Sequence, residues 1–282
     1  MSKSKLYARH GRETDALAAI NQSRKTVDMI AGVVRYRQAG YDISILNWSK
    51  TIPGIGVNTH KLLLYVICSF TELYSKAENG TVYEVGFSID DYIRITAGTI
   101  PDDAKRRMNR RNDMYKRLRR ELMLLQALQF TDINGKDFES ISPVCRTSIK
   151  NGYVEVELSR PYAEYLLKRP KTTIPMQLFR ISSKSPTAYA LGLKITNHYY
   201  LNKKREKGWN KLRVKNLLKE SPLPPYDSGH SWKDRIRLPF ERAMNELVAS
   251  GILSSWKYEK NTFDLDYHKF REVMVSFEVI DG

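Results

Sequence analysis

Nine lysine and arginine side chains lie between Lys105 and Arg120, against one acid, Asp113. The surrounding segment, Asp102 to Leu128, reads DDAKRRMNRRNDMYKRLRRELMLLQAL. Its first half interleaves Lys105, Arg106, Arg107, Arg110 and Arg111 with two amides, Asn109 and Asn112. Arginine presents paired donors to guanine O6 and N7. Asparagine does the same for adenine N6 and N7, and a good pair discriminates by about 1–3 kcal/mol. Lys116, Arg117, Arg119 and Arg120 follow, and suit phosphate oxygens. Like charges four residues apart on a helix repel unless a polyanion neutralises them. Leu118, Leu122, Leu125 and Leu128 recur at helical spacing. The segment is therefore read as a helix charged at one end to grip DNA and apolar at the other to sit in a core. A break is expected near Asn109 to Asn112.

A second basic set lies further along. Lys211, Arg213 and Lys215 fall in a stretch, Lys211 to Lys219, with the composition of a short basic helix. Pro222, Pro224 and Pro225 end it. Lys233, Arg235 and Arg237 open a further predicted helix, Ser231 to Ser250, which Gly251 stops. They are candidate base or phosphate contacts, and Trp232 beside them is assigned to packing. Lys257 and Lys260 fall on a predicted hairpin, Ile252 to Tyr258 and Thr262 to Tyr267, where they would touch the DNA backbone. Phe240, Met244 and Leu247 repeat the spacing of Leu118, Leu122 and Leu125. This match suggests a structural duplication.

Other chemistry finds little support. No G-x-x-x-x-G-K-[ST] stretch cradles a phosphate. The five histidines are widely separated, with no H-x-H or H-E-x-x-H pair. Two cysteines, Cys68 and Cys145, make neither a disulfide framework nor a zinc site. Asp90-Asp91 and Asp102-Asp103 sit at predicted helix starts, where acids favour the helix dipole. His198-Tyr199-Tyr200 reads as core rather than as a tyrosine nucleophile. No catalytic, cofactor or metal residue is expected, and the protein is not expected to be an enzyme.

The elements that must position the basic residues come in a recognisable order. The chain has 282 residues and a formal net charge of +16, with 41% hydrophobic and 28% charged residues. That balance predicts a folded protein of two domains that attracts polyanions. No apolar run reaches the roughly 18 residues that span a bilayer. The N-terminal stretch carries no export signal, so the cytoplasm is the expected location. Glu13 to Arg37 has helix-compatible apolar spacing, and Tyr41 to Trp48 alternates like a strand. A helix from near His60 is apolar nearly all round. A strand from Val82 to Phe87, a helix from Ile89 to Ile95 behind Ser88, and the basic helix follow. Gln129 to Ser142, turning at Asn134-Gly135-Lys136, and Arg146 to Leu158, turning at Asn151-Gly152, are predicted hairpins. Helix, strand, helix, basic helix and hairpin is the order of a winged helix. A helix near Thr187 to Arg205 starts the same order again. The expected class is α+β with two tandem winged-helix domains: an N-terminal extension at 1–50, domains at 51–168 and 176–282, and a linker at 169–175.

This architecture, with SIDDYIRI before the basic helix and SPTAYALGLKITNHY opening the second half, resembles the replication initiator (Rep) proteins of theta-replicating, iteron-containing bacterial plasmids. The resemblance implies binding to double-stranded DNA at origin repeats, each domain reading one part of a repeat. It also implies a homodimer and recruitment of the host replication initiator and helicase. A winged-helix transcriptional regulator is the alternative, and a nicking or priming enzyme a more distant one.

Overall fold

The computed structural model describes residues 5–9, 12–20, 25–28, 33–38, 41–46, 55–74, 83–100, 102–132, 140–203, 209–219, 221–228 and 230–281. They form an α+β structure of two compact units. One comprises Tyr7–Leu17 with Gln22–Lys171, the other Met1–Leu6 and Ala18–Asn21 with Thr172–Gly282.

The first unit is built on the helix Val57–Tyr74, whose Leu62, Leu63, Leu64, Val66 and Ile67 are all fully buried. Apolar residues on every face leave this helix no stable place but the centre. The strand Glu84–Ser88 follows, then the helix Ile89–Ala97. Ser88 caps that helix by accepting from the Asp91 N–H at 3.0 Å. Gly98, at φ +82°, ends it. The basic helix Ala104–Ala127 is capped by Asp103, which accepts from the Arg106 N–H at 2.7 Å. It runs without the expected break. Asn109 and Asn112 each disfavour helix by only a fraction of a kcal/mol, and the Arg, Lys, Leu and Met residues around them favour it. Strands Val144–Lys150 and Tyr153–Leu158 then form a hairpin, and the sheet order is Glu84–Ser88, Tyr153–Leu158, Val144–Lys150. The hairpin turns on Asn151 and Gly152, at φ +51° and +78°, the tight turn that matches strand twist.

Two expectations are corrected here. The hairpin directly after the basic helix is not part of the winged-helix sheet. Strand Leu128–Asp132 pairs with Ser140–Ile141 on one side and with Tyr41–Ile45 on the other. With Val33–Gln38 and Lys25–Asp28 they make a separate five-stranded sheet. The turn Asn134-Gly135-Lys136 lies outside the described residues. Nor is Glu13 to Arg37 one helix. It is helical over Arg12–Ala18 and extended over Lys25–Asp28 and from Val33. Val34 and Tyr36 are buried while Arg35 between them is exposed, a period of two that only a strand satisfies. Strands from the N-terminal fifty residues are thus built into the first unit rather than lying outside it.

In the second unit the helix Pro186–Asn202 is central, with Tyr189, Leu191, Leu193 and Ile195 buried. The segment expected as a linker holds a strand, Thr172–Pro175, with Thr172 and Ile174 buried. Lys211 to Lys219 is not one helix. Lys211–Arg213 is a strand with Leu212 opposite Val275, and only Val214–Lys219 is helical. The helix Leu238–Ala249 is preceded by a π-helical turn, Lys233–Arg237, in which the Leu238 N–H reaches the Lys233 carbonyl. Pro239 has no N–H to give the carbonyl four residues back, and a widened turn accommodates that loss. Gly251, at φ +71°, turns the chain out of the helix.

Strand Leu253–Tyr258 pairs with Met274–Val279, not with Thr262 to Tyr267 as expected. Asp266 instead caps a short helix, Tyr267–Arg271, by accepting from the Lys269 N–H at 2.8 Å. Val275, Ser276 and Phe277 of the partner strand Met274–Val279 are buried, as is Val273 just before it. The sheet order Lys211–Arg213, Met274–Val279, Leu253–Tyr258 repeats that of the first unit's winged-helix sheet.

Candidate nucleic-acid interface

The basic helix divides into two halves. Met114, Leu118, Glu121, Leu122, Leu124 and Leu125 are buried, so the second half is anchored against the core. From Ala104 to Asp113 no residue is buried. At 1.5 Å per residue, about 15 Å of helix stands clear of the core. Lys105, Arg106, Arg107, Asn109, Arg111 and Asn112 are exposed there and Arg110 is half-exposed. Buried apolar residues thus hold one end of a rigid rod whose other end offers five cations and two amides.

These cations are not equivalent. Lys105, Arg106, Arg110, Lys116 and Arg119 make no side-chain ion pair among the described residues. The Arg107 guanidinium donates back to the Asp102 carbonyl at 3.4 Å. Arg111 Nε lies 3.1 Å from Asp90 Oδ1 on the neighbouring helix. Its guanidinium also lies against the wing turn, where a Cβ added to Gly152 would stand 2.8 Å from Nη2. Arg111 therefore braces helix, neighbour and wing together. A Gly152→Ala variant is expected to lose about 1–2 kcal/mol, since alanine at this positive φ is strained; urea unfolding measures it. Ile89, Met108, Arg111, Asn112 and Tyr115 help line a groove of about 490 Å³ between the helix and that turn.

Two further residues expected at phosphates are tied to the core helix. Arg117 is half-buried and donates to Asn58 Oδ1. Arg120 pairs with Glu121 at 3.0 Å. Glu121 is buried and accepts the Thr59 hydroxyl at 2.6 Å. These contacts tie the basic helix to the core helix, a role that helical spacing alone does not reveal.

In the second unit, three expected contacts are engaged by acids. Lys211 lies 2.9 Å from Glu259, Arg213 3.2 Å from Glu272, and Lys215 2.9 Å from Glu272. Hydrogen bonds from Lys215 and Lys211 hold the Glu272 and Glu259 carboxyls below the usual carboxylate range. Each cation is thus engaged by a carboxylate within the protein, Arg213 and Lys215 sharing Glu272. Arg237 is mostly buried, pairs with Glu241 at 2.8 Å, and donates to the Thr262 carbonyl at 2.9 Å. It holds the wing rather than facing solvent. Lys233, Arg235, Lys257 and Lys260 are exposed. Trp232 packs on Phe270, with ring centroids 5.0 Å apart, as its assignment to packing requires. Tyr226 stacks on Tyr267 at 4.2 Å, so the proline-rich loop leans on the short wing helix. Lys269 on that helix, beyond the strand expected over Thr262 to Tyr267, is exposed and lies 3.3 Å from Asp266.

Among the described residues no three His, Cys, Asp or Glu side chains gather to hold a metal ion. Asp91 accepts from Ser88 at 2.6 Å and pairs with Arg94 at 3.1 Å, the work of a helix start. Tyr199 is buried against Trp209 and Tyr200. No described helix is long and apolar enough to cross a membrane.

No protein-family model matches the chain, and no curated protein does. Among solved structures it is similar to a Pi initiator protein, whose crystal structure is of a complex with iteron DNA. The TM-score is 0.55 at 14% identity, and 100% of each chain is covered. At that identity the likeness is one of fold, and it extends over both units.

Proposed function

We propose that this protein is a sequence-specific double-stranded DNA-binding plasmid replication initiator. The observation that carries the reading is the helix segment Ala104 to Asp113, free of the core and bearing five cations and two amides on a winged helix. The fold likeness to an initiator crystallised on iteron DNA supports it. The second reading helix would enter DNA through Lys233 and Arg235, with Lys257 and Lys260 of its wing at the backbone. Each unit reads one part of an origin repeat. The protein works without catalysis: binding energy deforms the DNA, and the bound complex recruits the host replication initiator and helicase. A homodimer and a cytoplasmic location belong to the same reading.

Footprinting on DNA flanking the gene tests it. Protection of tandem direct repeats beside an AT-rich segment is the expected result. Protection of a lone palindrome would make the protein a transcriptional regulator instead. Magnesium-dependent nicking of supercoiled DNA would show an enzyme and overturn the non-catalytic reading.

A further inference from the structure

Phe263 is 70% exposed, above every other large hydrophobic residue described. Isolated surface apolar residues are common and mean little. This one differs because the backbone around it is tethered. The Asn261 side chain accepts from the Phe263 N–H at 3.0 Å. Arg237, itself fixed by Glu241, donates to the carbonyl of the preceding Thr262 at 2.9 Å, and Thr262 is buried. Lys233 donates to the Phe263 carbonyl at 3.4 Å, and its ammonium stands 5.8 Å from the ring centroid. The wing tip is thus tied to the start of the reading helix by two of that helix's own cations, and an aromatic ring is left facing solvent beside them.

We infer that Phe263 is a wedge that enters the DNA minor groove next to the base pairs met by Lys233 and Arg235, and there unstacks a base step. The inference rests on the proposed DNA-binding function. When a winged helix lies in the major groove, its wing falls on the adjoining backbone and minor groove. Apolar side chains inserted from the minor groove partly unstack a step and kink the duplex. The nearby exposed cations Lys233, Arg235 and Lys260 bring phosphates to this face. Of the neighbouring acids, Asp266 is engaged as the cap of the Tyr267–Arg271 helix, and Asp264 remains exposed. Insertion at a flexible pyrimidine–purine step requires the least deformation energy. Sequence preference would then arise at a position where no hydrogen bond is made.

The test uses the intact chain and a duplex selected on it from a randomised library, with 2-aminopurine placed in turn at each step under the wing. The wild-type protein should raise 2-aminopurine emission at one step. Phe263→Ala should bind about tenfold more weakly, a loss of about 1.4 kcal/mol, and should abolish that rise. Phe263→Trp should keep both. An exposed side chain leaves the core intact, so the alanine variant should unfold at the wild-type urea midpoint. Equal affinity and equal emission for wild type and Phe263→Ala would overturn the wedge while leaving DNA binding in place. Failure of the wild-type chain to select any duplex would overturn the DNA-binding reading, and the wedge with it.

Discussion

Replacing Lys105, Arg106 and Arg110 together with glutamine should lower affinity for every duplex by about a hundredfold at moderate salt. It should also take roughly 0.9 per lost phosphate contact off the slope of log affinity against log salt concentration. All three lie on the part of the basic helix that no core residue anchors, and none pairs with an acid among the described residues. Glutamine keeps helix propensity close to that of lysine and arginine, and the Asp103 cap is untouched. A loss of binding would then report lost contact and not lost structure. The lost charge acts on phosphates in every duplex, but Arg106 and Arg110 are also candidate guanine contacts, so preference among sequences should relax along with affinity. Arg213→Gln with Lys215→Gln is the comparison: both already pair with Glu272, so affinity should fall only a few-fold. Equal losses in the two variants would mean that net charge drives binding. No loss in the triple variant would remove this helix from the interface. Arg110 and Arg111 adjoin in sequence and invite joint charge reversal, but the structure separates them. Arg111 braces Asp90 and the wing turn, so reversing it confounds fold with contact.

Features whose cause is local could be read from the sequence. The spacing of Leu118, Leu122 and Leu125, and of Phe240, Met244 and Leu247, puts one face of each helix inward, and all six are buried. Asn151-Gly152 specifies its turn because those residue types tolerate the positive φ it requires. The Ser88 cap is equally local.

Features whose cause is distant were not legible. Val34 becomes a strand residue because Val27 and Ile45 lie on either side of it in a sheet. Apolar spacing over Val27 to Val34 fits a helix as well as a strand until that sheet exists. The same holds for charge. Lys211 and Lys215 look as free as Lys105 until Glu259 and Glu272, 48 and 57 residues away, are brought alongside. The wing of the second unit was misplaced because Thr262 to Tyr267 alternates loosely, while the strand that pairs begins only at Met274. Sequence patterns thus located the anchored helices and their cations, whereas tertiary pairing decides which cations face solvent.

Lys61→Met should raise stability at neutral pH by several kcal/mol. Lys61 lies on the central helix with 3% of its surface exposed, and burial, with the Arg117 charge second, lowers its pKa from 10.5 to about 7. Between those values the unfolded chain holds a proton that the folded chain has released. Unfolding therefore takes up a proton, and stability increases with pH across this window. Below about 7 both states are charged and the full penalty of burying the ammonium remains. A lysine pKa lowered this far corresponds to a penalty on the order of a few kcal/mol. Methionine keeps an unbranched stem and removes the charge. Urea unfolding across neutral to alkaline pH should show wild-type stability climbing towards that of Lys61→Met, with the variant itself nearly flat. The anchored half of the basic helix should be firmer in the variant, because Arg117 loses a like charge beside it, while the exposed cations are unchanged. DNA affinity should accordingly stay within about twofold. A variant less stable than wild type at neutral pH would show that the ammonium is held by partners strong enough to outweigh its desolvation, and would overturn this account of the core.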